Sequence, residues 1–322
     1  MRENASDVVD LPVSLVIVSD FEAGEKTWAD EILCVEAFLS DRSALPAEVI
    51  IVESSADGHE APAPPELMAL SNRLRIVYAP YEESARLKDH AVPLAQHDCI
   101  AVVEADCLPG PGWLAHLYKR MEAPDRPDIV SGRTAYPEDT PLQRVMTLLD
   151  RGFAEIPVAP DFAHVSNNGA LYRKEVLERF PYPEETRADM NPFVSAERRQ
   201  HMFLDAGVKT AFAVEAVCYH AFGGWDFIKD VRRNKGFQYA LGAKHPVHTE
   251  DIKVSSIGTI LTALQRSIRA DLSVSIKRGW AHLKLWDWPL LVFVLAAVRP
   301  AEAAGAMMAK RPDAMLEGTA YR

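Results

Sequence analysis

Three carboxylates stand where strand-like segments end, and they indicate the chemistry that this sequence could perform. Glu53 closes the apolar run VIIVESS, while Glu104 and Asp106 close IAVVEAD, two residues apart. Carboxylates in such places are hard oxygen ligands, suited to Mg²⁺ or Mn²⁺ that keeps its other positions for a diphosphate. An isolated ExD is also common in solvated loops, but here an apolar strand precedes it and the sharp turn PGPGW follows. The pattern therefore predicts a site for a metal and a diphosphate.

Missing motifs and overall charge exclude several other functions. The segment 19–24 after the first apolar run reads SDFEAG rather than GxGxxG, and no GxxxxGK[ST] loop occurs, so neither dinucleotide-binding turn nor P-loop is present. The four cysteines lack CxxC spacing, which argues against a zinc knuckle or a disulfide framework. With 35 Lys+Arg against 46 Asp+Glu, the net charge of −11 opposes nucleic-acid binding. The N-terminus shows no signal-peptide pattern, so we expect a cytoplasmic protein.

The elements that must position these carboxylates alternate between strand and helix. Continuous apolar runs predict strands that are covered on both faces, and helical spacing of apolar residues predicts the segments between them. The predicted strands are 13–19, 48–52, 74–78, 99–103, 128–131 and 210–219, and the predicted helices are 27–39, 84–96, 142–153 and 197–206. This alternation predicts an α/β fold with a doubly wound sheet, whose ligands lie at the carboxyl ends of the strands.

The character of the chain changes near residue 245. We therefore predict a domain over 1–245 and a helical extension over 246–322. Residues 250–322 carry ten Lys+Arg and seven Asp+Glu, a net +3, which leaves −14 for the remainder. The asymmetry points to a separate role for the extension.

An apolar stripe accompanied by cations runs through this extension. Its members recur at i, i+3 and i+4: Val254, Ile257, Ile260, Leu261, Leu264, Ile268 and Leu272, with Arg266, Arg269, Lys277 and Arg278 nearby. A following apolar run of ten residues, 289–298, is shorter than the roughly 20 residues that span a bilayer. The pattern predicts a membrane-surface helix or a re-entrant segment. Helices that cover the sheet or form a homodimer interface are the open alternative.

Six segments in order resemble the family 2 glycosyltransferases of the GT-A fold, over about residues 12–245. They are VSLVIVS, EVIIVESSADG, IAVVEADCLPGPGWL, DIVSG, HVSNNGALYRKEVLERF and AERRQHMFLDAGVKTAFAVEAVCYHAF. They look like the family's first strand, nucleoside motif, DxD strand with its turn, acceptor-side strand, Asn-Asn segment, and final helix and strand. The resemblance implies a GT-A fold with a mixed sheet, and the activity of a bacterial polysaccharide-type nucleotide-sugar transferase.

Carried onto this sequence, the resemblance implies a role for each matching residue. Donor binding would involve Ser19, Glu53, Lys88 or Arg86, Glu104 and Asp106; the metal ligands would be Asp106, Glu104 and His220; the acceptor cleft would be lined by Asn167, Asn168 and Gly169. Each role has a plain alternative. A histidine after a strand is often structural, a cation on a helix is often solvated, and NNG is ordinary turn chemistry.

Two regions near the C-terminal end of the domain are interpreted with alternatives. Arg232 and Arg233, with Lys235, lie in GGWDFIKDVRRNKGF, which could close over the diphosphate as a lid or form a solvated face. The family's general base is expected where this sequence has Ser195-Ala196. Glu197 is the first substitute, and Asp189 and Glu185 follow it.

The sequence therefore predicts a Mg²⁺- or Mn²⁺-dependent hexosyltransferase that inverts configuration. Its donor would be a UDP- or GDP-linked sugar, and its acceptor a saccharide or a lipid-linked saccharide in polysaccharide assembly. It would lie in the cytoplasm, at the inner face of the cytoplasmic membrane if the extension binds lipid. The alternative is a catalytically degenerate GT-A-like binding or scaffold protein, which the Ser195-Ala196 replacement favours. A nucleotidyltransferase fits less well, because no loop rich in glycine and lysine follows the first strand.

Overall fold

The structure of the protein is a computed structural model. It describes residues 8–18, 27–56, 58–81, 83–183, 192–242 and 257–308. The chain divides into two compact units, each described here by itself: the first comprises 1–134, 154–181 and 202–220, and the second 135–153, 182–201 and 221–322. The second unit therefore takes in more of the chain than the extension 246–322 that the sequence suggests.

An eight-stranded mixed sheet of order β3-β2-β1-β4-β7-β6-β8-β5 forms the centre of the first unit. The strands are β1 (Val9–Val18), β2 (Ala44–Ser54), β3 (Leu74–Ala79), β4 (Cys99–Glu104), β5 (Cys107–Pro109), β6 (Ile129–Ala135), β7 (Ala170–Arg173) and β8 (Thr210–His220). Strands β1 to β4 pair in parallel, whereas β7 pairs antiparallel with β4 and β6, and β5 with β8. Because parallel strands need crossover connections, helices intervene along the chain.

Both faces of this sheet are covered, as the predicted strands require. Along β1, Leu15 and Ile17 pack into one apolar core, and Val16 and Val18 into another, because successive side chains of a strand point to opposite faces. The helices of this unit are α1 (Ala29–Ser40), α2 (Pro65–Ala69), α3 (Ser84–Ala91), α4 (Trp113–Met121) and α6 (Lys174–Arg179). The predicted α/β class with a doubly wound mixed sheet and C-terminal helices is confirmed.

The register of the central strands brings the acidic residues to one edge of the sheet. Val18, the last residue of β1, is aligned with Val52 on one side and with Glu104 on the other. Glu53 directly follows Val52. Glu53 and Glu104 therefore occupy the carboxyl edge of neighbouring strands on either side of β1, which is where ligands of open α/β sheets bind.

The second unit is helical. Its helices are α5 (Pro141–Asp150), α7 (Pro192–Asp205, most of which belongs to this unit), α8 (Gly224–Gly242), α9 (Ile257–His282), α10 (Trp288–Ala297) and α11 (Arg299–Met308). Helices α8 and α11 pack closely: a Cβ on Gly236 would collide with the carbonyl of Glu302, and one on Gly305 with the carbonyl of Arg233. Glycine at both positions is what allows the two backbones to approach.

The apolar run 289–298 belongs to a longer helical stretch. Residues 285–308 form 24 residues of helix with an 18-residue window of mean hydropathy 1.6, so by length and composition this stretch could cross a membrane. The sequence predicts that the run 289–298 is too short to span a bilayer. The helical stretch that contains this run is long enough, so the prediction is wrong on length. A third of the window is buried inside the protein, whereas the core helix of a globular protein is mostly buried.

Candidate active site

Asp106 and His220 meet at the carboxyl edge of the sheet. The short strand β5 pairs antiparallel with the end of β8, and this register places Cys107 opposite His220. As a result, Nε2 of His220 lies 3.2 Å from Oδ2 of Asp106. The imidazole is buried, while the carboxylate keeps 13% of its side-chain surface exposed. A pair of this kind is open to solvent on the carboxylate side only.

The donor set at this pair fits a divalent cation. Ligand atoms of Asp106, Cys107 and His220 all lie within 4.8 Å of one another. The carboxylate suits Mg²⁺ or Mn²⁺, and the imidazole adds a nitrogen ligand of the kind that divalent first-row metals bind. The Cys107 thiol is a different case, because its hydrogen bond with Cys218 and its burial raise its pKa well above the usual range. It donates to Oδ1 of Asp106 at 3.5 Å and so orients the carboxylate.

Glu104 is held by a cation and a hydroxyl from helix α3. Nζ of Lys88 lies 2.8 Å from Oε1 of Glu104, and the Ser84 hydroxyl donates to the same oxygen at 2.9 Å. Burial alone would raise the pKa of Glu104, but the charge and hydrogen bond of Lys88, with smaller contributions from His220 and Ser84, lower it to about 2. Glu104 is therefore ionised throughout the neutral range, and Lys88, only 4% exposed, is its counterion.

The Asn-Asn segment contacts the same two residues. Nζ of Lys88 donates to Oδ1 of Asn168 at 3.0 Å and to the carbonyl of Asn167 at 3.3 Å, and the Asn168 amide donates to Oε2 of Glu104. Glu104 uses one oxygen for α3 and the other for Asn168. The structure thus joins four residues of the predicted donor and acceptor sets in one hydrogen-bonded cluster.

Two hydroxyls fix the backbone of this segment from behind. Oγ1 of Thr134 donates to the carbonyl of Asn168 at 2.8 Å and lies 2.9 Å from Oγ of Ser166. The next residue, Gly169, has φ +102°, a conformation that favours glycine, and its N–H donates to the carbonyl of Val102 in β4. The NNG sequence is therefore more than a surface turn, because it is anchored to the central sheet.

The remaining predicted donor residues occupy different surroundings. Glu53 is 7% exposed at the end of β2, aligned with Tyr78 of β3. The guanidinium of Arg86 lies over the ring of Tyr81 at 4.5 Å. Lys88, two residues further along the same helix and therefore on its other side, contacts Glu104. Of the two cations that the sequence left open, Lys88 is the one in the cluster. Ser19 lies outside the described residues.

The predicted catalytic carboxylates belong to the second unit or are not described. Glu197 lies exposed on α7, and its Oε2 accepts a hydrogen bond from Nε2 of Gln238 at 3.1 Å. Ser195, which stands where a general base is expected, is buried. Asp189 and Glu185 lie outside the described residues. A catalytic role for Glu197 or Asp189 stays a prediction.

The prediction that Arg232 belongs to a lid is wrong. The segment is the regular helix α8 and not a loop, and the Arg232 side chain is completely buried. Its nitrogens lie 3.1 to 3.2 Å from carboxylates of Asp150, Asp271 and Glu302. Burial would lower the pKa of Arg232, but these three acids raise it, so the guanidinium is an internal counterion. A side chain fixed in this way cannot close over a ligand.

Arg233, the second predicted lid residue, is on another side of α8. It keeps 29% of its side-chain surface exposed and pairs with Asp230 at 2.9 Å. Lys235 contacts the buried Asp271 at 2.7 Å. In this stretch, Arg232 and Lys235 therefore belong to an internal charge cluster, whereas Arg233 forms an ion pair near the surface.

Sequence reasoning missed four residues of the site: Ser84, Thr134, Ser166 and Cys107. Ser84 stands four residues before Lys88, which puts both on one face of a helix, so this spacing could have identified it. Ser166 precedes Asn168 by two residues, a spacing common for hydroxyl–backbone turns. Thr134 carries no local signal, because its contacts are with residues more than 30 positions away in the chain. Cys107 directly follows Asp106, but adjacency alone does not predict a hydrogen bond between them.

One family model matches part of this chain, and two solved structures are similar to it. Residues 33–180 match the family model described as "Glycosyl transferase family 2". No curated protein matches the chain significantly. Among solved structures, the mannosyltransferase PcManGT from Pyrobaculum calidifontis, in complex with GDP-Man and Mn²⁺, is 16% identical with a TM-score of 0.48, over 95% of this chain and 90% of that one. Glucosyl-3-phosphoglycerate synthase from Mycobacterium tuberculosis, in complex with Mn²⁺, UDP and phosphoglyceric acid, is 14% identical with a TM-score of 0.46, over 73% and 79%. Similarity at this level carries no argument about this chain.

Proposed function

We propose, from the glycosyl transferase family 2 domain that this chain carries over residues 33–180, that the protein is a metal-dependent enzyme transferring a sugar from a nucleoside diphosphate to an acceptor hydroxyl. The observation that carries the proposal is the pairing of Asp106 with His220 at 3.2 Å, at the carboxyl edge of the sheet and beside Glu104. These residues form an acidic site at the place where ligands of such sheets bind.

Asp106 and His220 are the proposed ligands of Mn²⁺ or Mg²⁺. When bound, such an ion supplies positive charge that stabilises a departing diphosphate. Lys88 neutralises Glu104, so that two adjacent carboxylates do not repel the phosphates of the donor. Glu53 ends β2, which β1 separates from β4, and it is proposed to accept hydrogen bonds from the nucleoside. The anchored segment Asn167–Gly169 is proposed to line the acceptor side.

Inverting transfer requires a base in addition to this site. The acceptor oxygen bonds to the anomeric carbon while the bond from that carbon to the diphosphate oxygen breaks, and the hydroxyl proton passes to a carboxylate. We propose Glu197 for this role, with Asp189 as the substitute. The proposed acceptor is a saccharide or a lipid-linked saccharide, met at the inner face of the cytoplasmic membrane.

Calorimetry of UDP and GDP, each with and without Mn²⁺, tests the proposal. We expect the wild type to bind one nucleotide only with the metal, and Asp106→Ala to lose that binding. Asp98→Ala is the matched control: Asp98 is an exposed acid that directly precedes β4, whereas Asp106 follows the opposite end of β4 by two residues. Binding by Asp106→Ala equal to the wild type would overturn the assignment of the site.

A scaffold protein with the same fold is the second candidate. The burial of Ser195 where a base is expected favours it. Metal-dependent nucleotide binding without transfer to any of a broad panel of saccharide and lipid-linked acceptors would support this candidate over the enzyme.

A further inference from the structure

We infer that the exposed apolar face of helices α9 and α10, with the segment between them, docks on the surface of an anionic lipid bilayer. The inference goes beyond sugar transfer, because it assigns a lipid-binding surface to named residues of the second unit. It is supported by three observations: which apolar residues are exposed, where the charges of the same segment lie, and how the following helix is held.

Large apolar side chains face solvent along the whole of α9. Ile276 and Trp280 are 76% and 75% exposed. The exposed members of the face recur mostly four or seven residues apart and continue beyond the helix: Ile257, Leu261, Ile268, Leu272, Ile276, Trp280, Leu285, Trp286, Val292 and Phe293. Such a set on neighbouring helices exceeds the scattered single residues of an ordinary surface. Tryptophan is enriched at membrane interfaces, and two of the ten residues are tryptophan.

In this segment the acidic residues are buried and most of the basic residues are exposed. Between residues 257 and 298 the chain has five Lys+Arg and two Asp. Both acids, Asp271 and Asp287, are completely buried, and Asp287 pairs with Arg144 at 2.8 Å. Arg266, Arg269 and Lys277, in contrast, are exposed beside the apolar residues. The outward charge of the face is therefore positive, although the whole chain carries −11. An apolar face with basic flanks complements anionic headgroups.

The contacts of the helix that follows this face favour docking on a bilayer over crossing it. Residues 285–308 have the length of a span, but Glu302 is completely buried and Arg299 contacts it at 2.6 Å. Ser267 of α9 donates to the same carboxylate at 2.8 Å. To cross a bilayer, this half of the stretch would have to leave its partners and take an acid and an arginine into hydrocarbon. Lying on the surface preserves all of these contacts.

Vesicle sedimentation of the full-length protein tests the inference. We expect the wild type to pellet with vesicles of phosphatidylcholine and phosphatidylglycerol, and at least tenfold more weakly with phosphatidylcholine alone. Ile276→Ser with Trp280→Ser should weaken binding at least tenfold. Leu33→Ser with Val214→Ser, which changes two exposed apolar residues of the first unit, is the matched control and should bind normally.

A second pair of variants keeps the apolar face intact. Arg269→Gln with Lys277→Gln should reduce the preference for anionic vesicles, whereas Lys119→Gln with Lys229→Gln, also exposed lysines, should not. Failure of the wild type to pellet, or equal binding by all variants, would overturn the inference. So would light scattering that shows a wild-type dimer abolished by Ile276→Ser with Trp280→Ser, without vesicle binding. Nucleotide calorimetry on the same samples distinguishes loss of lipid binding from loss of nucleotide binding at the proposed donor site.

Discussion

Nε2 of His220 lies 3.2 Å from Oδ2 of Asp106, although Asp106 lies in the turn before β5 and His220 ends β8, more than 100 residues later in the chain. The pairing of Cys107 with His220 across β5 and β8 creates this proximity. The histidine is buried, so its direction is fixed by packing, and the carboxylate is oriented by the Cys107 thiol. Two side chains fixed in this way would be preorganised for the proposed cation.

His220→Ala should weaken metal-dependent nucleotide binding at least tenfold, because one of the two proposed metal ligands is lost. Calorimetric titration of Mn²⁺ into protein saturated with nucleotide measures the effect. His201→Ala, at an exposed position of α7, should leave the affinity for Mn²⁺ unchanged. An unchanged affinity in His220→Ala would show that the histidine is only structural.

Lys88→Met should lower the free energy of unfolding by about 3 kcal/mol, because it leaves the Glu104 carboxylate without its buried counterion. Glu104→Gln in the same chain should restore at least about 1 kcal/mol of that loss, since no uncompensated charge remains. Urea unfolding of both single variants and the double variant measures this coupling. Arg120→Met, which breaks the exposed pair with Asp125, should cost less than about 1 kcal/mol. Simple additivity of Lys88→Met and Glu104→Gln would contradict the pairing.

Arg232→Met and Arg233→Met change neighbouring residues and should differ strongly. The first leaves buried acids without their cation and should cost about 3 to 5 kcal/mol, whereas the second removes a surface pair and should cost less than about 1 kcal/mol. Thermal unfolding followed by circular dichroism compares them. Equal stability of the two variants would contradict the role of Arg232 as a buried counterion.

Gly305→Ala should destabilise the protein by about 3 kcal/mol. The added methyl group would collide with the backbone carbonyl of Arg233, which cannot rotate away, so α8 and α11 would have to separate. Gly224→Ala is the control: Gly224 has φ +77° with open space around it, so only backbone strain of about 1 kcal/mol is expected. Denaturant unfolding of the two variants should rank them in this order, and the reverse order would contradict the close packing.

The stability of the protein should fall between pH 7 and pH 5, in part through His164. Burial lowers the pKa of His164 to about 4, below the 6.5 of an exposed histidine. Between these values the unfolded chain binds more protons than the folded one, so acid favours unfolding. His164→Gln should reduce the loss over this range by about 1 kcal/mol, since solvent still reaches part of the ring. Urea unfolding at both pH values measures it; identical pH dependence in wild type and variant would show that another group is responsible.

The sequence alone determined the central sheet and its acidic edge. The apolar runs of β1, β2 and β4 are continuous because these strands are covered on both faces, and such a pattern is readable without the fold. The same runs locate Glu53, Glu104 and Asp106, because a residue after a buried parallel strand lies at the carboxyl edge.

The tertiary structure alone decided which side chains meet. Strand β5 has only three residues, too few for a pattern, yet its pairing with β8 brings Asp106 to His220. Lys88 and Arg86 are equivalent in the sequence, but the helix turns by about 100° per residue, so only Lys88 faces Glu104. The same rotation buries Arg232 completely and leaves Arg233 only half-buried. The periodicity of apolar residues determines where a helix or strand forms. The contact partner of each side chain depends on helices and strands from distant parts of the chain.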